Sequence, residues 1–257
     1  AYCVHTGIVH NPHFNEMGES PITPCPKCVL NKCKCNGEEP YYYNNNGNIA
    51  ECHCRETRLS IDKINRIYNN SGIEKKYKWK YLNDFDVTNN KHANDAKLKA
   101  YEIIRSFPDV KKGLYLWGNP GTGKTLLSNI ILTELITSKG VGGQYINVAR
   151  SFLNRLKATF VEGSNTYGDS SKILSALEEI DVLVIDDFGV QKETPWEQET
   201  LYNLVDARYE AEKFTIFTSN TNPNQALKTL SEGRVLSRIK EMCWIQELSG
   251  KDHRESQ

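Results

Sequence analysis

The stretch Gly113-Leu-Tyr-Leu-Trp-Gly-Asn-Pro-Gly-Thr-Gly-Lys-Thr125 runs from an apolar strand into a phosphate-binding loop. Leu114 to Trp117 has the length and character of a buried strand. Gly118-x-x-x-x-Gly123-Lys124-Thr125 is the P-loop pattern. Leu126, Leu127, Ile130, Ile131, Leu135 and Ile136 then continue at helical spacing. The loop glycines let backbone N–H groups turn towards phosphate oxygens, and the following helix N-terminus adds its partial positive charge. Residues Gly118, Asn119, Pro120, Gly121, Thr122, Gly123, Lys124, Thr125 and Leu126 are therefore expected to cradle a nucleoside triphosphate. Lys124 is expected on the β- and γ-phosphates and Thr125 on Mg²⁺.

Strands and helices alternate outward from this loop. Strands fit 113–117, 143–148, 181–186, 213–218 and 242–247. Helices fit 125–138, 149–160, 170–179, 195–212 and 232–240. The helix at 195 carries the clearest start signal, with Thr194 as N-cap, Pro195 in the first turn and Glu197 closing a capping box. Such alternation predicts an α/β fold whose parallel sheet is covered by helices on both faces. Two further helices fit 56–70 and 93–107, with a basic and aromatic connector, 72–85, between them. After the strand at 242–247 only ten residues remain, so little or no helical lid is expected.

Three more patterns bear on chemistry. Val182-Leu-Val-Ile-Asp186-Asp187 places two acids at the C-terminal end of an apolar strand, where open α/β sheets bind ligands. Asp186 is expected to organise Mg²⁺ and Asp187 to activate water. Phe214-Thr-Ile-Phe-Thr-Ser-Asn220 is another buried strand, ending in an amide that can lie near the γ-phosphate or simply close a turn. Arg234 and Arg238 are four apart on a predicted helix and share a face. They fit either a solvated surface or an arginine finger reaching a neighbouring subunit.

Taken together, these segments resemble the AAA+ ATPases, and most closely the bacterial replicative helicase loaders of the DnaC and DnaI type with their relative, the transposase helper IstB. The residues carrying the resemblance are Gly118 to Thr125, Val184-Ile-Asp-Asp-Phe-Gly189, Thr218-Ser-Asn220, Arg234-Val-Leu-Ser-Arg-Ile-Lys-Glu-Met-Cys243 and the connector Ser71-Gly-Ile-Glu-Lys-Lys-Tyr77 with Phe85. They span about residues 70–254. The resemblance implies ATP hydrolysis and a sensor role for Asn220. It implies an arginine finger at Arg238 with Arg234 beside it, and a second sensor at Arg254. Asp252 departs from the small hydroxyl residue expected before that sensor. The resemblance also implies a hexameric replicative helicase and single-stranded DNA as partners, and self-assembly into an AAA+ oligomer. Ile73 and Tyr77 are candidates for packing against adenine.

Composition bounds the remainder. The 257 residues are 39% hydrophobic and 25% charged, ordinary for a globular protein. The formal net charge is zero, so any nucleic-acid contact must come from a local patch. The candidate is Arg150, Arg155 and Lys157 interleaved with Phe152 and Phe160. The same phenylalanines, with Leu153 and Leu156, equally fit the buried face of an amphipathic helix. No stretch reaches the roughly 18 apolar residues of a membrane span, and residues 1–24 lack the apolar core of a secretory signal. A cytoplasmic location is expected, where thiols stay reduced.

Six of the eight cysteines, Cys25, Cys28, Cys33, Cys35, Cys52 and Cys54, lie within thirty residues. Clustering of this kind favours metal over disulfides. The sequence predicts an N-terminal Cys-rich module over 1–70 and the ATPase domain over 71–257. Residues 1–24 read as irregular and 37–48 as a hairpin or loop. Cys25-Pro-Lys-Cys28 reads as a knuckle and Cys52-His-Cys54 as its partner pair, together holding one tetrahedral Zn²⁺. Cys33, Cys35 and His53 remain alternative ligands. Cys3 and Cys243 look unpaired, and His5, His10 and His13 read as polar tail residues.

Overall fold

The computed structural model describes residues 3, 7–10, 20–161, 167–189, 194–226, 233–250 and 252, with the side chains of Ala149 and Arg150 left out. The chain divides into two compact units, Ala1–Asn69 and Asn70–Gln257.

The first unit is small and has little regular structure. Strands β1 (Ile8–His10) and β2 (Ile22–Pro24) form an antiparallel ribbon in a region whose sequence carries no strand periodicity. Strands β3 (Tyr42–Asn45) and β4 (Asn48–Glu51) form a second hairpin. Helix α1 (Arg55–Asn70) follows, with Ile61, Ile64 and Tyr68 buried on one face. The buried cluster between the hairpins consists largely of cysteine, with Val9, Val29 and Tyr41.

The second unit is a layered α/β body. Helix α2 (Lys91–Ser106) is N-capped by Asn90, whose side chain accepts from the Ala93 amide, and buries Ala93, Ala96, Ala100 and Ile103. Then come β5 (Gly113–Trp117), α3 (Lys124–Lys139) and β6 (Gly143–Asn147). A π-helical turn, Val148–Phe152, leads into α4 (Leu153–Ala158), so the single helix expected over 149–160 starts with a wider turn. The body continues with α5 (Ser170–Glu179), β7 (Val182–Asp186), α6 (Pro195–Glu210), β8 (Phe214–Ser219), α7 (Pro223–Ala226), α8 (Arg234–Met242) and β9 (Cys243–Glu247). Helix α6 begins with the Thr194–Glu197 capping box and Pro195 that the sequence signals.

The five strands form one parallel sheet in the order β6-β7-β8-β5-β9. β7 is buried along its whole length and β8 likewise. Such strands suit a sheet covered on both faces. The core carries one unusual side chain. Arg208 on α6 is fully buried. Its guanidinium donates to the carbonyls of Leu177, Glu178 and Ile180 at the end of α5, to the Phe214 carbonyl and to the Thr215 hydroxyl. Burial pulls its pKa down to about 10 while Asp181 opposes that. No helix among the described residues is long and apolar enough to cross a membrane.

Candidate functional site

A cleft of 590 Å³ opens at the C-terminal edge of the sheet, within the range of small-molecule sites. It is lined by Pro120, Gly121, Gly123, Lys124, Thr125 and Leu126 of the loop, by Asp186, Asp187 and Asn220 at strand ends, and by Glu74, Lys76, Tyr77 and Tyr145. β5 delivers the loop and α3 receives it. Gly121 and Gly123 have φ of +78° and +93°, the left-handed region that favours glycine. A Cβ on Gly121 would overlap the Asp252 carboxylate, and one on Gly118 would overlap the Leu248 carbonyl. Thr122 is buried and turns inward to donate to the Asn119 carbonyl at 2.9 Å, so it shapes the loop rather than facing the cleft. Lys124 Nζ donates to the carbonyls of Gly118 and Asn119 at 2.9 and 2.7 Å, holding the loop around its own ammonium.

The acidic pair is embedded in donors. Asp186 is 2% exposed. It accepts from Thr125 Oγ1 at 2.8 Å, Thr218 Oγ1 at 2.5 Å, Tyr145 OH at 2.7 Å and Asn147 Nδ2 at 2.9 Å. Asn147 also donates to Asp187 at 3.0 Å, linking the two carboxylates through one amide. Asp187 has φ of +56°, and its N–H donates to Thr218 Oγ1 at 3.1 Å. A non-glycine residue held there by its surroundings is characteristic of functional sites. Burial and the Asp186 charge push the Tyr145 phenol pKa up, so it stays a donor. The adjacent hydroxyl of Thr125 and carboxylate of Asp186 form the hard oxygen set that Mg²⁺ prefers. Tyr145 and Asn147 are absent from the sequence expectation, and Thr218 enters it only within the run Thr218-Ser-Asn220, with no role of its own. Only the parallel register of β6, β7 and β8 brings them to the acids.

The connector borders the cleft. The Tyr145 amide donates to the Ser71 carbonyl at 2.7 Å. Tyr77 lines the cleft, whereas Ile73 is buried and is not among the residues lining it. Phe85 is buried, with its ring edge where a Cβ on Gly123 would approach to 3.0 Å.

Arg234 and Arg238 stand outside the cleft. Arg238 pairs with Asp206 and lies 5.6 and 5.3 Å from the ring centroids of Tyr202 and Tyr209. Arg234 stacks over Tyr202 at 4.6 Å. Arg254, His5 and His13 lie outside the described residues. Of the strand-binding patch, Phe152 is buried in the core with Leu153 and Leu156, as the amphipathic-helix alternative expects, and Lys157 is exposed and bonded to Glu197 at 2.8 Å. Phe160 remains 58% exposed, edge-on to Trp196. Arg155 lines a surface groove with Asp169 and Lys172, and the Arg150 side chain is outside the description.

The cysteines divide differently from the expected set. Cys52 and Cys54 meet Cys33 and Cys35, whereas Cys25 and Cys28 meet Cys3. The reason is topological. The β1–β2 ribbon carries the Cys25–Cys28 knuckle towards the start of the chain, and the turn after Leu30–Lys32 carries Cys33 and Cys35 to the end of β4. In the four-cysteine group, five Sγ–Sγ separations are 3.7, 3.6, 3.5, 3.9 and 3.6 Å. A tetrahedron with Zn–S bonds of about 2.3 Å has edges of about 3.8 Å, so these four fit zinc. His53 is bonded through Nε2 to the Cys28 carbonyl at 3.1 Å and joins neither group. Among the described residues all eight cysteines are free of disulfides.

A P-loop closed by a twin-aspartate strand, on a five-stranded parallel sheet flanked by helices, defines a nucleoside-triphosphatase of the AAA+ class. The family model described as "IstB-like ATP binding protein" matches residues 54–256, and the chain belongs to that ATPase family. It is 31% identical to the replicative helicase loader DnaC of Escherichia coli strain K12 over 186 residues, 72% of each chain. A crystal structure of the DnaC helicase loader superposes with a TM-score of 0.58 at 28% identity, covering 68% of this chain and all of that one. The structure of DnaI shares the fold, with a TM-score of 0.60 at 24% identity over 74% of this chain and all of its own.

Proposed function

We propose that this protein is an ATP-driven loader of a hexameric replicative DNA helicase. The observation that carries the reading is the 31% identity to a helicase loader across 72% of both chains, together with a cleft lined by the P-loop and both aspartates. Residues 71–257 form the motor. The loop amides and Lys124 bind the β- and γ-phosphates, with Lys124 turning from the Gly118 and Asn119 carbonyls. Thr125 and Asp186 hold Mg²⁺, which supplies charge neutralisation. Asp187 orients the attacking water, and Asn220 faces the γ-phosphate. Residues 1–70 form a zinc module, with Cys33, Cys35, Cys52 and Cys54 as ligands, that docks on the helicase. Copies of the protein assemble on the helicase, Arg238 serves a neighbouring active site, and the ATPase bodies engage single-stranded DNA. Hydrolysis then releases the helicase onto the strand.

The test is co-purification of the full chain with the hexameric helicase of its own cell, followed by helicase transfer to single-stranded DNA in ATP. Stable binding and ATP-dependent transfer are expected. A protein that hydrolyses ATP but binds no helicase refutes the reading. The family match favours a second reading, a transposition helper of the IstB type. Capture of a transposase in place of the helicase would establish it.

A further inference from the structure

The cysteine-rich unit holds more sulfur than one ion uses. Four of the eight cysteines make the group already described, and Cys243 is buried in β9 of the other unit. The remaining three are together. The Sγ atoms of Cys3, Cys25 and Cys28 all lie within 4.8 Å of one another, with Cys3 and Cys28 at 3.3 Å. The backbone builds this meeting. Ile8 pairs with Pro24 in the β1–β2 ribbon, and the Cys25 amide donates to the Gly7 carbonyl at 2.7 Å just beyond it. The Cys25 carbonyl accepts from the amides of Val29 and Leu30, both at 3.0 Å, closing the turn that aims Cys25 and Cys28 the same way. The Gly7 amide donates to Cys3 Sγ at 3.2 Å, which fixes the Cys3 side chain beside the knuckle.

We propose that the protein binds two zinc ions, the second at Cys3, Cys25 and Cys28 with a nitrogen or oxygen as fourth ligand. Three sulfurs this close repel once ionised unless a cation lies between them, and a disulfide would use only two and leave the third thiol stranded. Of the other cysteines in this sequence four make the first group and Cys243 lies in the other unit, so a nitrogen or oxygen is assigned as the fourth ligand. Among the described residues, no His, Asp or Glu completes the group. The two sites therefore differ in kind: one closed by four thiolates, one by three thiolates and a harder donor. The second ion ties residue 3 to the knuckle and stabilises a ribbon only three residue pairs long.

The experiment is metal analysis of the full-length protein purified without chelator, with X-ray absorption at the zinc edge. Two zincs per chain are expected, with an average sulfur number midway between three and four. One zinc per chain overturns this proposal and leaves the four-cysteine site standing; none overturns both. Replacing Cys3→Ser should remove one ion and keep the other, with ATP hydrolysis retained. Should that variant fail to fold, alkylation of the native chain decides. Cys3, Cys25 and Cys28 should become reactive together as one equivalent of metal is withdrawn by chelator. Reaction of all three before any metal leaves, or recovery of a Cys3–Cys28 disulfide, overturns the assignment.

Discussion

Asn147 is the residue on which the two acids depend. Its amide donates to both Asp186 and Asp187, so it ties together the two carboxylates proposed to hold Mg²⁺ and to orient water. Asn147→Ala should leave ATP binding within a few-fold and lower the hydrolysis rate by about 10- to 100-fold, the usual cost of losing a positioning partner. Filter binding and steady-state turnover, measured side by side, separate the two effects. Asp187→Asn should likewise keep nucleotide and abolish turnover, by roughly 10²-fold or more. Lys124→Ala should weaken binding itself, because the role proposed for Lys124 is on ground-state phosphates. Equal hydrolysis by Asp187→Asn and the parent would remove the water-orienting role. The acids and the lysine were legible from the sequence because each sits in a run with a fixed spacing. Asn147 and Tyr145 were not, since their meaning arises only when β6 pairs with β7 in register.

At the scale of elements, the apolar runs and their caps located the five strands and the longer helices of the ATPase body to within a few residues, but not the short α7 or the π-turn before α4. Thr194, Pro195 and Glu197 show why: a capping box is local chemistry, satisfied within four residues. What escaped was non-local. The β1–β2 ribbon has three pairs and no alternation to announce it, and it decides which cysteines meet. Arg208 escaped for the same reason, since a charged residue on a predicted helix reads as solvated until its partners arrive from α5 and β8. It joins three elements through five acceptors. Arg208→Ala removes the donor from those acceptors and opens a cavity. The expected cost is about 3 kcal/mol, or a melting temperature lower by roughly 10 °C. Arg208→Lys should recover only part of this, because an ammonium cannot span the fork. A melting curve unchanged in Arg208→Ala would show that α5 finds other partners.

At the scale of the whole molecule, the question is whether one chain makes a complete motor. Arg234 and Arg238 lie off their own cleft, and Arg238 is engaged by Asp206, Tyr202 and Tyr209. An arginine finger acting in trans would have to exchange that pairing for a neighbour's phosphate. Arg238→Ala should then bind ATP normally and lose on the order of 10³-fold in turnover. Mixing it with Asp187→Asn subunits should restore part of the activity, since some junctions join an intact cleft to an intact finger. Activity no greater than the sum of the separate variants would make Arg238 a structural residue of α6 and α8.

The connector that borders the cleft carries a practical corollary. Lys75, Lys76, Lys78 and Lys80 stand along it between Ser71, anchored on the Tyr145 amide, and Phe85, seated at Gly123. Lys75 and Lys76 are exposed, and Lys76 and Tyr77 face the cleft. Trypsin therefore has its cleavage points on the rim of the nucleotide site. A slowly hydrolysed ATP analogue should protect these bonds and leave distant lysines as susceptible as before. The digestion pattern would then report occupancy of the cleft in a variant that no longer turns over, with no label attached and no helicase present.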